Sequence, residues 1–445
     1  EGTNLWEVDR LGITFDSLWR LLGAEYDFVS LDESEQIINE ILTTTRIFEQ
    51  DNDYPDKRIQ LPSQVRATLG KQISQAKTVI ASDADLGNLT QWFIEDWKTD
   101  NFTIFDNQYK SQKGRTIWLM PSLDAMLEQI HSDIREGKRV YINHDTKKGS
   151  ITLHDELTGW YDTPSMRRAQ SREQAKGILI HADNKNKTTK AIANNPNEVL
   201  PELMDKGLQW LDTSPTFETG ISIGKKEDME HRFHSAYGYW TWNEYTATTL
   251  RQAILRVRNA DNYYVYMPKK FGEADDVSGI LDAIEQDNPE PRQVDRTEEL
   301  KRYALKQKQL SVKNRVIHFQ YLCEEIGATL KRVDGNSCES YLWNEAQRVS
   351  TEKQIKQILK ADDVNTEKEY EELGFSEEEI YMRWKYEARK AFDIEPEELT
   401  SALIKRWGFG RVHKKHQLRQ FLQQPYEQIL DEEYEIEKLC SKEKR

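Results

Sequence analysis

Twice within the first hundred residues, an apolar β-prone run ends in carboxylates and passes straight into a helical pattern. The first run, YDFVSL over 26–31, is closed by Asp32 and Glu33, and Ile37, Ile38, Ile41 and Leu42 then fall on one helical face. The second, KTVIASD over 77–83, ends in Asp83, Ala84 and Asp85 ahead of a helix expected from Leu89 to Trp97. Between them a helix is expected over 61–75, where Val65, Leu69 and Ile73 share a face. Strands alternating with helices in this way build a parallel α/β sheet, because two parallel strands must be joined by a crossover. Ligands in such sheets gather at the carboxyl ends of the strands, so Asp32, Glu33, Asp83 and Asp85 can share one crevice. Residues 11–22 are expected to run from a strand into a short helix capped by Asp16 or Ser17.

The alternation restarts beyond a polar stretch over 101–115. Helices are expected over 122–136, 166–175 and 197–206, leading to strands over 139–143, 177–181 and 207–211, with His144 to Lys148 as a polar strand-end loop. Gly137, Gly177 and Gly207 stand at the three helix-to-strand joints, where helix C-caps belong. The last of these strands runs into DTSPTFETGIS over 212–222, whose small hydroxyl residues and Gly220 suit close approach to a phosphate or nucleic-acid backbone. The aromatic run over 233–245, with Tyr237, Tyr239, Trp240 and Trp242, reads as a buried strand or as a platform for stacking bases. A helix over 246–258 turns Leu250, Ile254 and Val257 inward and gathers Gln252, Arg256 and Arg258 near one end, before a strand over 262–267. From Phe271 the pattern is helical throughout: 277–286, 298–309, 314–330, 351–359, 376–392, 396–407, 413–423 and 427–439.

At 445 residues the chain is too long for one core, and about three domains are expected. No apolar run approaches the roughly 20 residues that span a bilayer, so no membrane partner is expected. A net charge of −15 excludes a generally basic nucleic-acid coat but leaves room for a local basic channel. Cys323, Cys338 and Cys440 are odd in number and unpatterned, which points to neither a disulfide framework nor a zinc site and suits a reducing cytoplasm. The chain begins at Glu1 without a signal pattern, and it is expected to be an interior or C-terminal piece of a longer polypeptide. One basic cluster, from Arg411 through His413, Lys414, Lys415 and His416 to Arg419, reads as a solvated helix start or a DNA-contacting helix.

The candidate chemistry follows from residue types. A strand-end Asp can hold Mg²⁺ through water, and a Glu beside it can orient an attacking water. The same two residues also suit a plain helix N-terminus, where acids favour the macrodipole. Asp83 and Asp85 likewise suit loop polarity and helix capping. Paired arginines at a helix end can reach a γ-phosphate, or can simply end a solvated basic helix.

Taken in order, LDES over 31–34, SDAD over 82–85, TSPTFETGIS over 213–222 and QAILRVR over 252–258 resemble the superfamily 2 helicases. More narrowly, they resemble the origin-binding-protein type and the cyanobacterial plasmid replication proteins of the CyRepA family; residues 313–333 look similar to that family as well. The resemblance implies an α/β fold of two RecA-like parallel-sheet lobes, the first incomplete, followed by an all-helical C-terminal region. Its division of the chain is 1–118, 119–272 and 273–445. It implies ATP and Mg²⁺ as cofactors and single-stranded or origin DNA as partner. It also implies primase-like and phosphate-loop segments upstream in the same polypeptide. In these terms Asp32 holds Mg²⁺ through water, Glu33 polarises the attacking water, and Arg256 and Arg258 stabilise the transferring phosphoryl group. Gln252, Gly220 and Ser222 belong to the nucleotide site, Asp83 and Asp85 transmit lobe closure, and Thr213, Thr216 and Thr219 couple nucleotide state to DNA. Leu255 stands where the sixth motif has Gly, Ser222 where the fifth often has Asp, and GxxxxGK[ST] occurs nowhere in the sequence. The fragment by itself is therefore expected to be inert towards ATP. Two other readings stand beside this one: a non-hydrolysing origin-binding initiator, and a metal-dependent primase or nuclease using Asp32, Glu33, Asp83 and Asp85.

Overall fold

A computed structural model describes residues 8–14, 17–18, 21, 24–43, 62–99, 102–161, 176–181, 186–214, 222–224, 228–241, 245–268, 296–335, 341–374 and 376–408. Contacts divide the chain into two units, Glu1–Gln108 with Ser278–Ser311 and Leu418–Arg445, and Tyr109–Val277 with Val312–Gln417.

In the first unit, β1 (Phe28–Asp32) leads through α1 (Ser34–Thr43) and α2 (Pro62–Gln75) to β2 (Thr78–Ser82), and α3 (Asn88–Trp97) follows. β1 and β2 pair in parallel, from Phe28 opposite Thr78 to Asp32 opposite Ser82. The period-2 alternation of the strands turns Val29, Leu31, Val79 and Ala81 onto a core with Ile38, Ile41, Leu69, Ile73 and Phe93 from the three helices. The other face of the pair, Phe28 and Ile80 included, is exposed. Residues 11–14 are irregular rather than strand. Leu18 and Leu21 nevertheless join the core, as does Leu300 further along the chain.

The second unit is built on a seven-stranded sheet whose described pairs are all parallel. Its strands are β3 (Thr116–Leu119), β4 (Val140–His144), β5 (Lys176–Ile180), β6 (Leu208–Thr213), β7 (Ser235–Tyr239), β8 (Asn262–Tyr266) and β9 (Thr329–Arg332), ordered β5-β6-β4-β7-β8-β3-β9. The crossovers are α4 (Leu123–Arg135), α5 (Lys147–Tyr161), α6 (Lys187–Asn194), α7 (Pro196–Asp205) and α8 (Ala247–Leu255). α9 (Arg296–Lys313) belongs to the first unit as far as Ser311, and the second unit continues with α10 (Arg315–Glu325) and, past β9, α11 (Tyr341–Lys360), α12 (Glu367–Glu372), α13 (Glu377–Phe392) and α14 (Ser401–Trp407). Burial on both faces, as parallel sheets require, explains why β4 and β7 are buried along their whole length.

The α/β class with two parallel sheets is the one the alternation implies. Several elements differ from expectation. β3 was not expected: four residues are too few to show a period, although they pair on both sides. Residues from Lys147 onward form α5, not a loop, because Ser150, Ile151, Leu153 and Leu157 are buried behind a polar opening. The tail is not purely helical, since residues 329–332 form β9 beside β3. Gly137 and Gly207 do take the left-handed conformation of a C-cap (φ 78° and 93°). Gly177 does not: it lies in β5 under the Trp210 indole, and a Cβ there would stand 1.9 Å from the ring. The described part of the aromatic run is core, with Tyr237, Tyr239 and Trp240 fully buried, and Trp242 lies outside the described residues. The helices expected over 166–175, 277–286, 413–423 and 427–439, and the basic cluster from Arg411 to Arg419, lie outside the described residues. No helix among the described residues is long and apolar enough to cross a membrane.

Gly177→Ala should cost about 1–3 kcal/mol by overpacking, measured by urea unfolding. Gly159→Ala, at an exposed site in α5 with nothing within 4 Å of the new Cβ, should stabilise by roughly 0.5–1 kcal/mol.

Candidate functional site

Parallel pairing of β1 and β2 sets Asp32 beside Ser82, so the acidic residues that follow both strands meet at one sheet edge. Asp32 is exposed, and its Oδ1 accepts a hydrogen bond from the Ser82 hydroxyl at 3.2 Å. Glu33 is left-handed at φ 54°, a conformation costing a non-glycine residue about 1–2 kcal/mol. It acts as the turn between strand and helix, its carbonyl accepting the Ile37 amide at 3.0 Å. Strain held at a strand end is a mark of functional sites.

Asp83 is fastened to the other strand's helix. Its Oδ2 accepts the amides of Glu35 (2.9 Å) and Gln36 (3.4 Å) in the first turn of α1, and its Oδ1 accepts the Asp85 amide at 2.8 Å. Glu35 returns the arrangement, for its Oε2 accepts the amides of Gly87 (3.1 Å) and Thr90 (3.0 Å) and the Thr90 hydroxyl (2.7 Å) at the start of α3. Each carboxylate thus satisfies open donors of the neighbouring helix N-terminus. Burial pushes the Glu35 carboxyl up, against the bonds from Thr90 and Gly87 that favour its charged form. Glu35 went unnoticed in the sequence, where it is one more acid in a helix start. Among the described residues no group of three His, Cys, Asp or Glu could hold a metal ion.

In the second unit, two stretches singled out by sequence are hydrogen-bonded to each other. The Ile223 amide donates to the Arg256 carbonyl and the Arg258 amide to the Ile223 carbonyl, both at 2.9 Å, forming a parallel bridge between Ile223 and Val257. Asn197 at the start of α7 clamps this junction, donating to the Ser222 carbonyl at 3.0 Å and accepting the Gly224 amide at 2.8 Å. Gly224 is left-handed (φ 82°), which keeps it a glycine position. Gln252 and Arg256 lie one turn apart and half-buried, while Arg258 is exposed. Leu250, Ile254 and Val257 face inward as expected. Thr216, Thr219 and Gly220 lie outside the described residues.

Thr213 is fully buried at the end of β6, its hydroxyl 3.1 Å from the Ile142 carbonyl and 3.0 Å from the Tyr141 hydroxyl. Burial raises the Tyr141 phenol, while the Thr213 bond and the Arg256 charge act against that rise. The Thr213 hydroxyl, Tyr141 and Arg256 therefore form one neighbourhood between β4, β6 and α8. Two further groups escaped the sequence reading. Asp212 is completely buried, and burial holds its carboxyl well above the ordinary range, against a backbone bond from Thr213 that favours its charged form. Arg251 is buried on α8 and donates to the Leu322 carbonyl at 3.3 Å, tying α8 to α10.

No protein-family profile matches the chain, and no curated protein does. Among solved structures the chain is similar to a variant of S. cerevisiae Dbp5 bound to a Gle1 variant and IP6, with a TM-score of 0.36 and 10% identity. That likeness covers 76% of this chain and 65% of the Dbp5 chain, so this chain spans under two thirds of that one.

Two outcomes test the acidic edge. Asp83→Ala should cost about 1 kcal/mol through loss of the α1 cap, measured by urea unfolding. The folded Glu35 carboxyl titrates above its ordinary value of 4.5, so over that window the native state keeps a proton the unfolded chain has released. Stability should therefore fall as pH rises through the window, and Glu35→Gln should remove that decline.

Proposed function

We propose that the chain is the helicase-like ATPase portion of a plasmid DNA replication protein, coupling ATP hydrolysis to DNA binding or unwinding. The observation that carries this reading is the hydrogen-bonded junction of residues 222–224 with residues 256–258, clamped by Asn197. A motor of this kind needs its phosphate-sensing arginines mechanically tied to the strand-end loop that meets the nucleic acid. The strained Asp32–Glu33 turn at a parallel-sheet edge supports the same reading.

Mg²⁺ and ATP, when bound, would supply the phosphoryl group and the cation that neutralises its charge. In this reading Asp32 holds the hydrated cation, and Glu33 orients the attacking water. Arg256 and Arg258 offset the negative charge that builds on the phosphoryl oxygens. Gln252, Ser222 and Gly220 line the nucleotide, and Asp83 transmits closure, since its bonds to the amides of Glu35 and Gln36 link the β2 end to the helix after Glu33. Asp85, Thr213, Thr216 and Thr219 complete the coupling route to single-stranded or origin DNA. This chemistry requires a phosphate-cradling loop, and no GxxxxGK[ST] occurs within the 445 residues. Hydrolysis is therefore assayed in a polypeptide that carries such a loop.

A non-hydrolysing origin-binding module is the second reading, favoured by Leu255 in place of the glycine before Arg256. The two separate cleanly. Glu33→Gln should lower DNA-stimulated ATP hydrolysis by about 10²-fold or more, with nucleotide binding retained. Arg256→Ala should lower it by roughly 10³-fold. Hydrolysis that survives Glu33→Gln would overturn the assignment of the water-orienting base. An unaltered protein that binds DNA without hydrolysing ATP would select the second reading.

A further inference from the structure

Both ring nitrogens of His231 face carboxylates. Nδ1 lies 3.3 Å from Asp228 Oδ2 and Nε2 lies 3.1 Å from Asp205 Oδ1, while the His231 amide donates to Asp228 Oδ1 at 3.0 Å. A neutral imidazole carries one N–H and can donate to one acid, leaving its other nitrogen to turn a lone pair towards a carboxylate oxygen. Only the imidazolium donates both ways, so the geometry selects the charged ring. Burial pulls the ring down, but its bonds to Asp205 and Asp228 and their charges outweigh that and hold it above its ordinary value of 6.5. The side chain is 21% exposed, so solvent protons reach it.

The ring sits where it can act on the junction of 222–224 with 256–258. Asp205 is the last residue of α7, and Asn197 in the first turn of the same helix holds Ser222 and Gly224. One helix therefore grips 222–224 at one end and 228–231 at the other, with Leu200 and Met204 buried beside Ile223 in one cluster. Asn259, next to Arg258, donates to the Asp228 carbonyl at 3.1 Å. The surrounding charges are engaged with one another. Arg139, just ahead of β4, donates to the carbonyls of Glu230 and Arg232 and feels the carboxylates of Asp205, Asp228 and Glu230. Arg232 pairs with Asp261 at 2.8 Å, and Lys206 pairs with Glu202. His234 accepts the Arg139 amide at 3.0 Å, and burial pushes its ring down, opposite to His231.

We propose that His231 is a proton-dependent clasp: its protonated ring fastens 228–231 to the end of α7, and loss of that proton loosens the junction of 222–224 with 256–258. The folded ring keeps its proton to higher pH than the unfolded chain does. The clasp is thus at full strength below about 6.5 and is lost as pH rises through the folded value. The proposal is independent of the ATPase reading, since ring titration and amide exchange involve no nucleotide.

NMR titration of the His231 ring in the intact protein, assigned by comparison with His231→Gln, tests it. The midpoint should lie above 6.5, and Asp205→Asn, at a side chain 69% exposed, should lower it without unfolding the chain. Protection of the Ile223 and Gly224 amides, taken relative to free-peptide exchange at each pH, should fall as pH rises through that midpoint. The fall should reach about tenfold for each unit by which the midpoint is raised, and Asp205→Asn and His231→Gln should flatten it. A midpoint at or below 6.5 overturns the proposal, as does one that Asp205→Asn leaves in place. Protection at Ile223 and Gly224 that follows pH alike in all three chains also overturns it, and would make His231 and its acids a surface ion pair only.

Discussion

Parallel pairing forces the chain to leave each strand at the same edge of the sheet and return over a face before the next strand begins. Both units obey this constraint, and it decides where their chemistry can sit. In the first, Asp32 and Ser82 finish their strands side by side, which brings Glu33, Asp83 and Glu35 together. In the second, His144, Thr213 and Tyr239 finish adjacent strands at one edge. Trp343 of α11 stacks on His144 there, with ring centroids 5.7 Å apart.

That edge is also where helices begin, and every helix start carries unsatisfied amides. This protein meets the demand with carboxylates borrowed across the chain. Asp83 caps α1 and Glu35 caps α3. Asp124 of α4 accepts the amides of Leu342 and Trp343 at 3.0 and 3.1 Å, anchoring the first turn of α11. Asp133 accepts the Tyr237 hydroxyl at 2.7 Å and the Lys138 ammonium at 3.1 Å, fastening α4 to β7. Each acid is a brace between elements, which accounts for part of a strongly acidic composition without invoking a binding partner. The consequence for function is selective. Asp83 accepts backbone amides, whereas the exposed Asp32 accepts the Ser82 hydroxyl at 3.2 Å.

Much of the architecture was legible in the sequence because it rests on periodicity. The β-to-acid-to-helix pattern at Asp32 and again at Asp83, the helical faces of Val65, Leu69 and Ile73, and the inward set Leu250, Ile254 and Val257 are all local signals. The failures are equally physical. β3 is too short to carry a period, and β9 is recognisable only because β3 lies beside it. α5 opens on lysines and shows its apolar face only once the sheet beneath is known. Gly177 resembles a C-cap in sequence, but its requirement is the Trp210 ring of the next strand, not a left-handed backbone.

The sequence by itself determined the α/β class, the residue types at the strand ends and the candidate arginines just past α8, since these follow from composition and spacing within a few residues. Only the tertiary structure decided which of them meet. The caps between Asp83 and Glu35 or between Glu35 and Thr90 join residues 48 and 55 positions apart. The junction of Ile223 with Arg256 and Arg258 depends on an asparagine from a third element. A hydrogen bond between distant segments leaves no periodic trace in either of them, so its existence is settled by how the crossovers fold back and not by the residues alone.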